Sequence, residues 1–454
     1  HYYGAIKPRI SAFMQDLDQE LWKLGVLCKT KHNEVAPAQH EMAPIYTDVN
    51  TACDHNQITM EMMRQVASRH QLVCLLHEKP FAGVNGSGKH NNWSLSTDTG
   101  KNLLKPGKTP SQNAQFLLFL AAFIAGVDDY QEMLRCTVAF AGNDHRLGAN
   151  EAPPAILSVY LGDELTEILL SILDGTAYVD KEKRTLRIGI DALPPIPQDT
   201  TDRNRTSPIA FTGNKFEFRS LGSSQSIAGP NITINTMMAE ELSRMANRLE
   251  NSDHFSDDLQ TLIRDTVKAH RRIIFNGNGY DEHWVKEAEK RRLSNLPSSD
   301  QALATYMLPK NVQLFTKHGV YTESEMAARH EIHLESYCKV LHIEALTMLD
   351  MIRRQILPAV SAYNGALCKA LNDRKAAVPT AACKPEETLI FRLSRLSSQL
   401  WDSCNVLEKA VEAAEKTEDL AQRTAVYRKK VFSAMEKARN YADTLESLTA
   451  ADYW

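Results

Sequence analysis

Gly213-Asn214-Lys215-Phe216-Glu217-Phe218-Arg219 alternates charged and aromatic side chains with period two, which predicts a strand whose two faces differ in kind. Phe216 and Phe218 make one face; Lys215, Glu217 and Arg219 make the other. The aromatic face suits a core, so the charged face is either ordinary wet sheet or the wall of a site. A carboxylate set between two cations suits a metal held beside phosphate or carboxylate oxygens.

Three further segments decide between those readings. Val84-Asn85-Gly86-Ser87-Gly88-Lys89-His90-Asn91-Asn92-Trp93-Ser94 puts the metal-capable imidazole of His90 behind a backbone with almost no side chains. By itself such a run marks a turn more often than a ligand cradle, and a lone His is more often structural. Asn33-Glu34-Val35-Ala36-Pro37-Ala38-Gln39-His40-Glu41 sets two carboxylates about a proline. Proline argues against a continuous helix, and a regular strand would send Glu34 and Glu41 to opposite faces. Serving one site therefore requires a bend at Pro37-Ala38, after which both acids and Gln39 offer oxygens to a hard divalent cation, Mg2+ or Mn2+. Arg146-Leu147-Gly148-Ala149-Asn150-Glu151-Ala152-Pro153-Pro154 is a loop opened by an arginine and closed by a glutamate. Asn204-Arg205-Thr206-Ser207-Pro208 lies between it and the strand. Each segment alone also reads as a solvated loop; together and in this order they form a combined signal.

In order and wording these segments resemble glutamine synthetase, and most of all its large type III form. The resemblance runs over the whole chain and is tightest between residues 33 and 235. It implies an α+β fold, a curved antiparallel sheet of the glutamine synthetase/guanido kinase kind with surrounding helices, followed by an all-α helical extension. It also implies ATP-dependent ligation of ammonium to L-glutamate through γ-glutamyl phosphate, with two or more divalent cations, Mg2+ or Mn2+, per site. By the same resemblance Glu34 and Glu41 ligate the metal on the nucleotide side, while His90 and Glu217 ligate the one beside glutamate. Asn85, Gly86 and His90 lie on the glutamate side, and Arg146 clamps its carboxylate. Arg205 and Arg219 serve the transferred phosphoryl group, Ser94 and Lys215 the nucleotide, and Glu151 the flap that shields the acyl phosphate and takes a proton from the attacking nitrogen. The chemistry explains the set: phosphoryl transfer to a carboxylate brings anions together, and its product must be kept from water.

Some positions depart from the commoner types. Arg146 and Glu151 are five positions apart, one fewer than usual, which loosens the placement of Glu151. Ala210 stands where a second arginine is usual, Lys215 replaces an arginine and loses its planar fork, and Asn92 replaces a histidine. The chain opens at His1 directly into family sequence. The expectation is that a preceding β-grasp domain, two more metal-ligating carboxylates and the acid of the ammonium site belong to an upstream portion, so that four of six protein metal ligands are visible here.

Composition agrees with a globular chain. A formal charge of -4 over 454 residues gives no basic footprint for nucleic acid. Eight cysteines without a Cys-x-x-Cys pair suit reduced thiols of a cytoplasmic protein. The most apolar run, Phe116 to Val127, is too short to span a bilayer and reads as a buried helix. Leu161 to Leu173 and Met237 to Leu249 read as amphipathic helices. The expected domains are catalytic, 1–337, and helical, 338–454. In the latter Leu389, Leu393, Leu396, Leu400, Leu407 and Val411 keep one apolar face, Val431, Met435, Ala438, Ala442 and Leu445 another, and Ala376 to Pro385 makes the turn. Such a tail is structural by default. Type III enzymes form two stacked hexameric rings, so the resemblance implies a homo-oligomer with active sites between subunits. Two alternatives stay open: a same-fold γ-glutamyl ligase for another amine, and a non-catalytic structural or regulatory homologue.

Overall fold

The structure, a computed structural model of the chain, describes residues 4–81, 83–147, 155–178, 185–186, 196–197 and 206–454. Glu151 and Arg205 lie outside the described residues. The chain divides into two compact units, His1–Met326 and Ala327–Trp454. The expected boundary at 337/338 falls inside an uninterrupted helix, Glu323–Met351.

The first unit carries all the strands. Cys28–Asn33 (β1) and His40–Pro44 (β2) form a separate antiparallel hairpin. It lies with the helices Pro8–Lys23 and Val49–Arg69 around a small core of Leu17, Leu21, Val26 and Val66, with Met42 of β2 packed against it. The main sheet contains Lys89–Trp93 (β3), Val159–Tyr160 (β4), Ile209–Phe211 (β7) and Phe216–Leu221 (β8) in the order β3-β8-β7-β4. A two-residue pair, Thr185–Leu186 (β5) with Ile196–Pro197 (β6), stands apart. The sheet is antiparallel from β3 through β8 to β7, as expected, and β4 joins its edge by pairing with β7 in parallel. The two strands are joined by a crossover long enough to hold the helix Asp163–Asp174, which a parallel pair needs.

The charged and aromatic alternation becomes β8, but the strand begins at Phe216 rather than Gly213. Gly213 takes φ +89, outside the β region, and Thr212 N–H donates to Lys215 O at 2.8 Å, closing a two-residue hairpin loop between β7 and β8. Lys215 therefore belongs to the turn. Phe216 stacks on Phe123 with centroids 3.6 Å apart and planes 6° from parallel. Phe123 lies on the helix Ala114–Asp129, whose first turn is capped by Asn113 Oδ1 accepting Phe116 N–H at 3.1 Å. That helix is apolar on every side because the sheet covers one face and the helices Ala228–Leu249 and Phe255–His270 cover others. The helix expected from Met237 starts earlier, at Ala228; its first turns carry the buried polar residues Asn231, Thr233 and Thr236, which hide its apolar period.

The second unit is all helix: Glu323–Met351, Leu357–Ala377, Lys384–Glu415, Leu420–Val426 and Ser433–Glu446. A π-helical turn at Ile352–Ile356 precedes Pro358. Proline has no N–H to give to the preceding turn, so the ladder slips there instead of breaking. Leu393, Leu396, Leu400, Leu407 and Val411 are buried, as are Val431, Met435, Ala438, Ala442 and Leu445. The helices bearing the two sets pack on each other. No described helix is long and apolar enough to cross a membrane, and all eight cysteines are free.

Candidate functional site

The β1–β2 hairpin resolves the problem of the odd carboxylate spacing. Glu34 N–H donates to Gln39 O at 2.9 Å and Gln39 N–H to Ala36 O at 3.2 Å, closing a loop in which Ala38 takes φ 55. The bend thus sits at Pro37-Ala38. Register then puts His32 opposite Glu41. His32 Nε2 lies 3.0 Å from Glu34 Oε1 and 3.7 Å from Glu41 Oε2, and one ligand atom from each of the three residues falls within 4.8 Å of the others. Glu34 is buried, so its charge needs such a partner. Sequence reading missed His32. The usable signal was its place two residues before Glu34, on the same face of an extended chain.

A second group forms across β3 and β8. Asn92 pairs with Glu217 and Asn91 with Phe218, with an irregularity between Lys89 and Asn91 that falls at His90. His90 Nδ1 comes within 3.3 Å of Glu217 Oε1, and Arg219 Nε donates to Glu217 Oε2 at 2.8 Å. Burial alone would push the Glu217 carboxyl up. The neighbouring His90 and Arg219 outweigh it and bring the group down to about 2, so the carboxylate is ionised at neutral pH. Arg219 is itself buried and also donates from Nη1 to Ser207 O at 3.3 Å.

The glycine-rich segment is shaped by packing within the protein. A Cβ on Gly86 would stand 2.0 Å from Glu78 O, and one on Gly88 would stand 2.5 Å from Arg146 Nη2. Neither position admits a side chain without displacing its neighbour. Arg146 is buried, donating from Nη1 to Asn143 Oδ1 (3.0 Å) and Leu221 O (2.9 Å) and from Nη2 to Arg219 O (2.9 Å). It therefore ties the segment to the end of β8. Gln39, read from sequence as a candidate cation ligand, instead turns its amide to the backbone of this segment. Asn85 is half-buried at the segment's start. Lys89 Nζ donates to Gln225 O at 2.6 Å and Asn56 Oδ1 at 3.2 Å, and burial lowers its ammonium to about 8 although Glu78 opposes the shift.

Ser94 and Lys215 fall at the far end of the sheet. Ser94 Oγ donates to Asn214 O at 2.8 Å and accepts from Asn102 Nδ2 at 2.9 Å, which fixes it beside the β7–β8 turn that carries Lys215. The described residues thus form one sheet face with an imidazole–carboxylate pair, flanked by a glycine segment and a buried arginine, and a hairpin on which the His32 imidazole and two carboxylates converge. Oxygen-rich sets with single imidazoles fit Mg2+ or Mn2+. No set offers the thiolates or multiple imidazoles favoured by zinc.

These features define an α+β domain carrying two candidate cation-binding groups, followed by a helical C-terminal part. Residues 3–157 match the "Glutamine synthetase, catalytic domain" family and residues 258–375 the "Glutamine synthetase C-terminal domain". The chain is 45% identical to a glutamine synthetase of Butyrivibrio fibrisolvens, over 100% of this chain and 65% of that one. It is 42% identical to a type-3 glutamine synthetase of Dictyostelium discoideum, over 100% of this chain and 63% of that protein. A glutamine synthetase of Bacteroides fragilis is 39% identical over 100% and 64% respectively. The chain belongs to the glutamine synthetase family. It spans at most 65% of the length of these relatives.

Proposed function

We propose that the whole protein joins ammonium to L-glutamate at the expense of ATP, giving L-glutamine, ADP and phosphate through γ-glutamyl phosphate. The observation that carries this reading is the convergence of Glu34 and Glu41 on His32 beside a segment where His90 meets Glu217. His32, Glu34 and Glu41 would hold the cation on the nucleotide side, His90 and Glu217 the one on the glutamate side. Bound Mg2+ or Mn2+ would neutralise the charge that spreads over the phosphoryl oxygens.

The chain's own residues supply the rest. Asn85 and the backbone at Gly86 would receive glutamate, with Arg146 giving a guanidinium contact to its carboxylate in exchange for one of its present carbonyl partners. Arg219, already held beside Glu217, would face the phosphoryl group, joined by Arg205. Ser94 and Lys215 would meet the nucleotide, and Glu151 would close over the acyl phosphate and accept the proton of the attacking nitrogen. We further assign the protein to the type III form, acting in the cytoplasm as a homododecamer of two hexameric rings, with a catalytic part ending near residue 337 and a structural tail beyond it.

The test uses the full-length protein with glutamate, ATP, Mg2+ and ammonium, following ADP, phosphate and glutamine. Phosphate release with ethanolamine or putrescine but not with ammonium would assign a different amine. No turnover with any amine would leave a structural or regulatory role. Glu217→Gln should abolish glutamine formation, and full activity of that variant at low metal would remove Glu217 from the site.

A further inference from the structure

Gln39 makes more contacts with the glycine-rich region than any single role in the hairpin requires. Its Oε1 accepts Ser87 N–H at 3.1 Å, and its Nε2 lies 3.4 Å from Ser87 O, 3.1 Å from His77 O and 3.3 Å from Glu78 O. An amide is the side chain suited to this, since it accepts and donates in one plane where a carboxylate would face three carbonyl oxygens without a proton to offer. Its main chain does a second job, because Gln39 O accepts the Glu34 N–H that closes the carboxylate loop. The segment it grips is fixed in turn. Gly86 packs on Glu78 O, and the buried Glu78 side chain accepts Ser223 N–H just past β8. A continuous set of bonds therefore runs from the Glu34/Glu41 loop through Gln39 to Ser87 and Glu78, and on to the strand that carries Glu217 and Arg219.

Resting on the functional reading above, we infer that Gln39 is the positioning residue that holds the Glu34/Glu41 hairpin in register with the glycine-rich segment, and so sets the spacing between the two cation-binding groups. Its side-chain amide is engaged by the backbone of His77, Glu78 and Ser87. The hairpin belongs to a two-stranded sheet of its own, and no strand pairing joins it to β3 or β8. Its register against the main sheet has to come from side-chain contacts such as these.

The full-length protein carrying Gln39→Ala tests this, read by Mn2+ titration with electron paramagnetic resonance of the free ion and by thermal melting. The expected result is a melting temperature near that of the unsubstituted protein, with half-saturation by Mn2+ raised about tenfold or more, as for loss of a group that orients metal ligands. The KM for glutamate should rise more than kcat falls. Gln39→Met, which keeps length but not the amide, should behave alike. Unchanged Mn2+ binding in a well-folded variant overturns the inference, and so does failure of both variants to fold, which would make Gln39 a residue of the fold alone. The Mn2+ arm needs no turnover. An unsubstituted protein that binds Mn2+ through a Gln39-dependent site but makes no glutamine would overturn the functional reading and leave the role of Gln39 standing.

Discussion

Arg146 fills the space that a side chain at Gly88 would need: a Cβ there would stand 2.5 Å from Arg146 Nη2 and 2.9 Å from its Cζ. The end of a long side chain usually moves aside cheaply. This one is buried and bonded to Asn143 Oδ1 and to the carbonyls of Leu221 and Arg219, so moving it breaks bonds that have no water to replace them. Gly88→Ala should therefore cost about 1–3 kcal/mol of stability, the range for overpacking a tight interior, and weaken glutamate binding. Urea unfolding measures the first and initial rates the second. A variant as stable as the unsubstituted protein would mean that Arg146 is free to swing away.

His32 faces two carboxylates, one of them buried. His32→Ala leaves Glu34 without this partner and removes a donor from the proposed cation group, so half-saturation by Mn2+ should rise at least about tenfold. The loss should be partly restored by Gln at the same position, which keeps a polar atom near Glu34. Equal Mn2+ titration curves for His32→Ala and the unsubstituted protein would exclude His32 from that group.

Away from the site, Glu240 is a buried carboxylate on the helix Ala228–Leu249. Burial would raise its pKa from the ordinary value near 4.5. Lys317 and His318 from the helix Pro309–Lys317 and its end, with Arg244 one turn along, outweigh burial and lower it to about 2. A depressed carboxylate adds stability that is full above its unfolded pKa and is lost as pH falls through the folded one. Between about pH 5 and pH 2 the unsubstituted protein should therefore lose stability more steeply than Glu240→Gln. Denaturation midpoints across that interval measure the difference, and parallel slopes would show that Glu240 does not contribute to it.

In the helical unit, Leu400 is fully buried on Lys384–Glu415. Leu400→Ala should destabilise that unit by about 2–5 kcal/mol, the lost transfer free energy plus the cavity left behind. Urea denaturation followed by circular dichroism checks it. A loss below about 1 kcal/mol would mean that the neighbouring helix collapses into the space.

Much of this was legible along the chain because it depends on near neighbours. The Phe216–Phe218 face, the buried Phe116 to Val127 helix, the bend at Pro37-Ala38 and the apolar stripes of the tail all follow from periods of two or 3.6 residues and from the fixed φ of proline. Family wording added the candidate roles that periodicity cannot supply. The start of the Ala228–Leu249 helix was not legible, because Asn231 is buried against Asn91 and breaks the apolar pattern. Lys215 left the strand because Gly213 turns the chain at φ +89, which a glycine permits but does not announce.

By itself, then, the sequence singled out most of the candidate residues and most of the elements they sit on, though not His32 and not the turn that holds Lys215. Only the tertiary structure decided who meets whom. It made His32 the partner of Glu34 and Glu41 by strand register, and brought His90 to Glu217 across a pairing between segments more than a hundred residues apart. It also showed that Gly86 and Gly88 have no room for a side chain, and turned the Gln39 amide to the backbone of Ser87. Periodicity is a property of the local backbone, whereas contacts between distant segments are set by which faces bury each other, and nothing in a single stretch of chain records that.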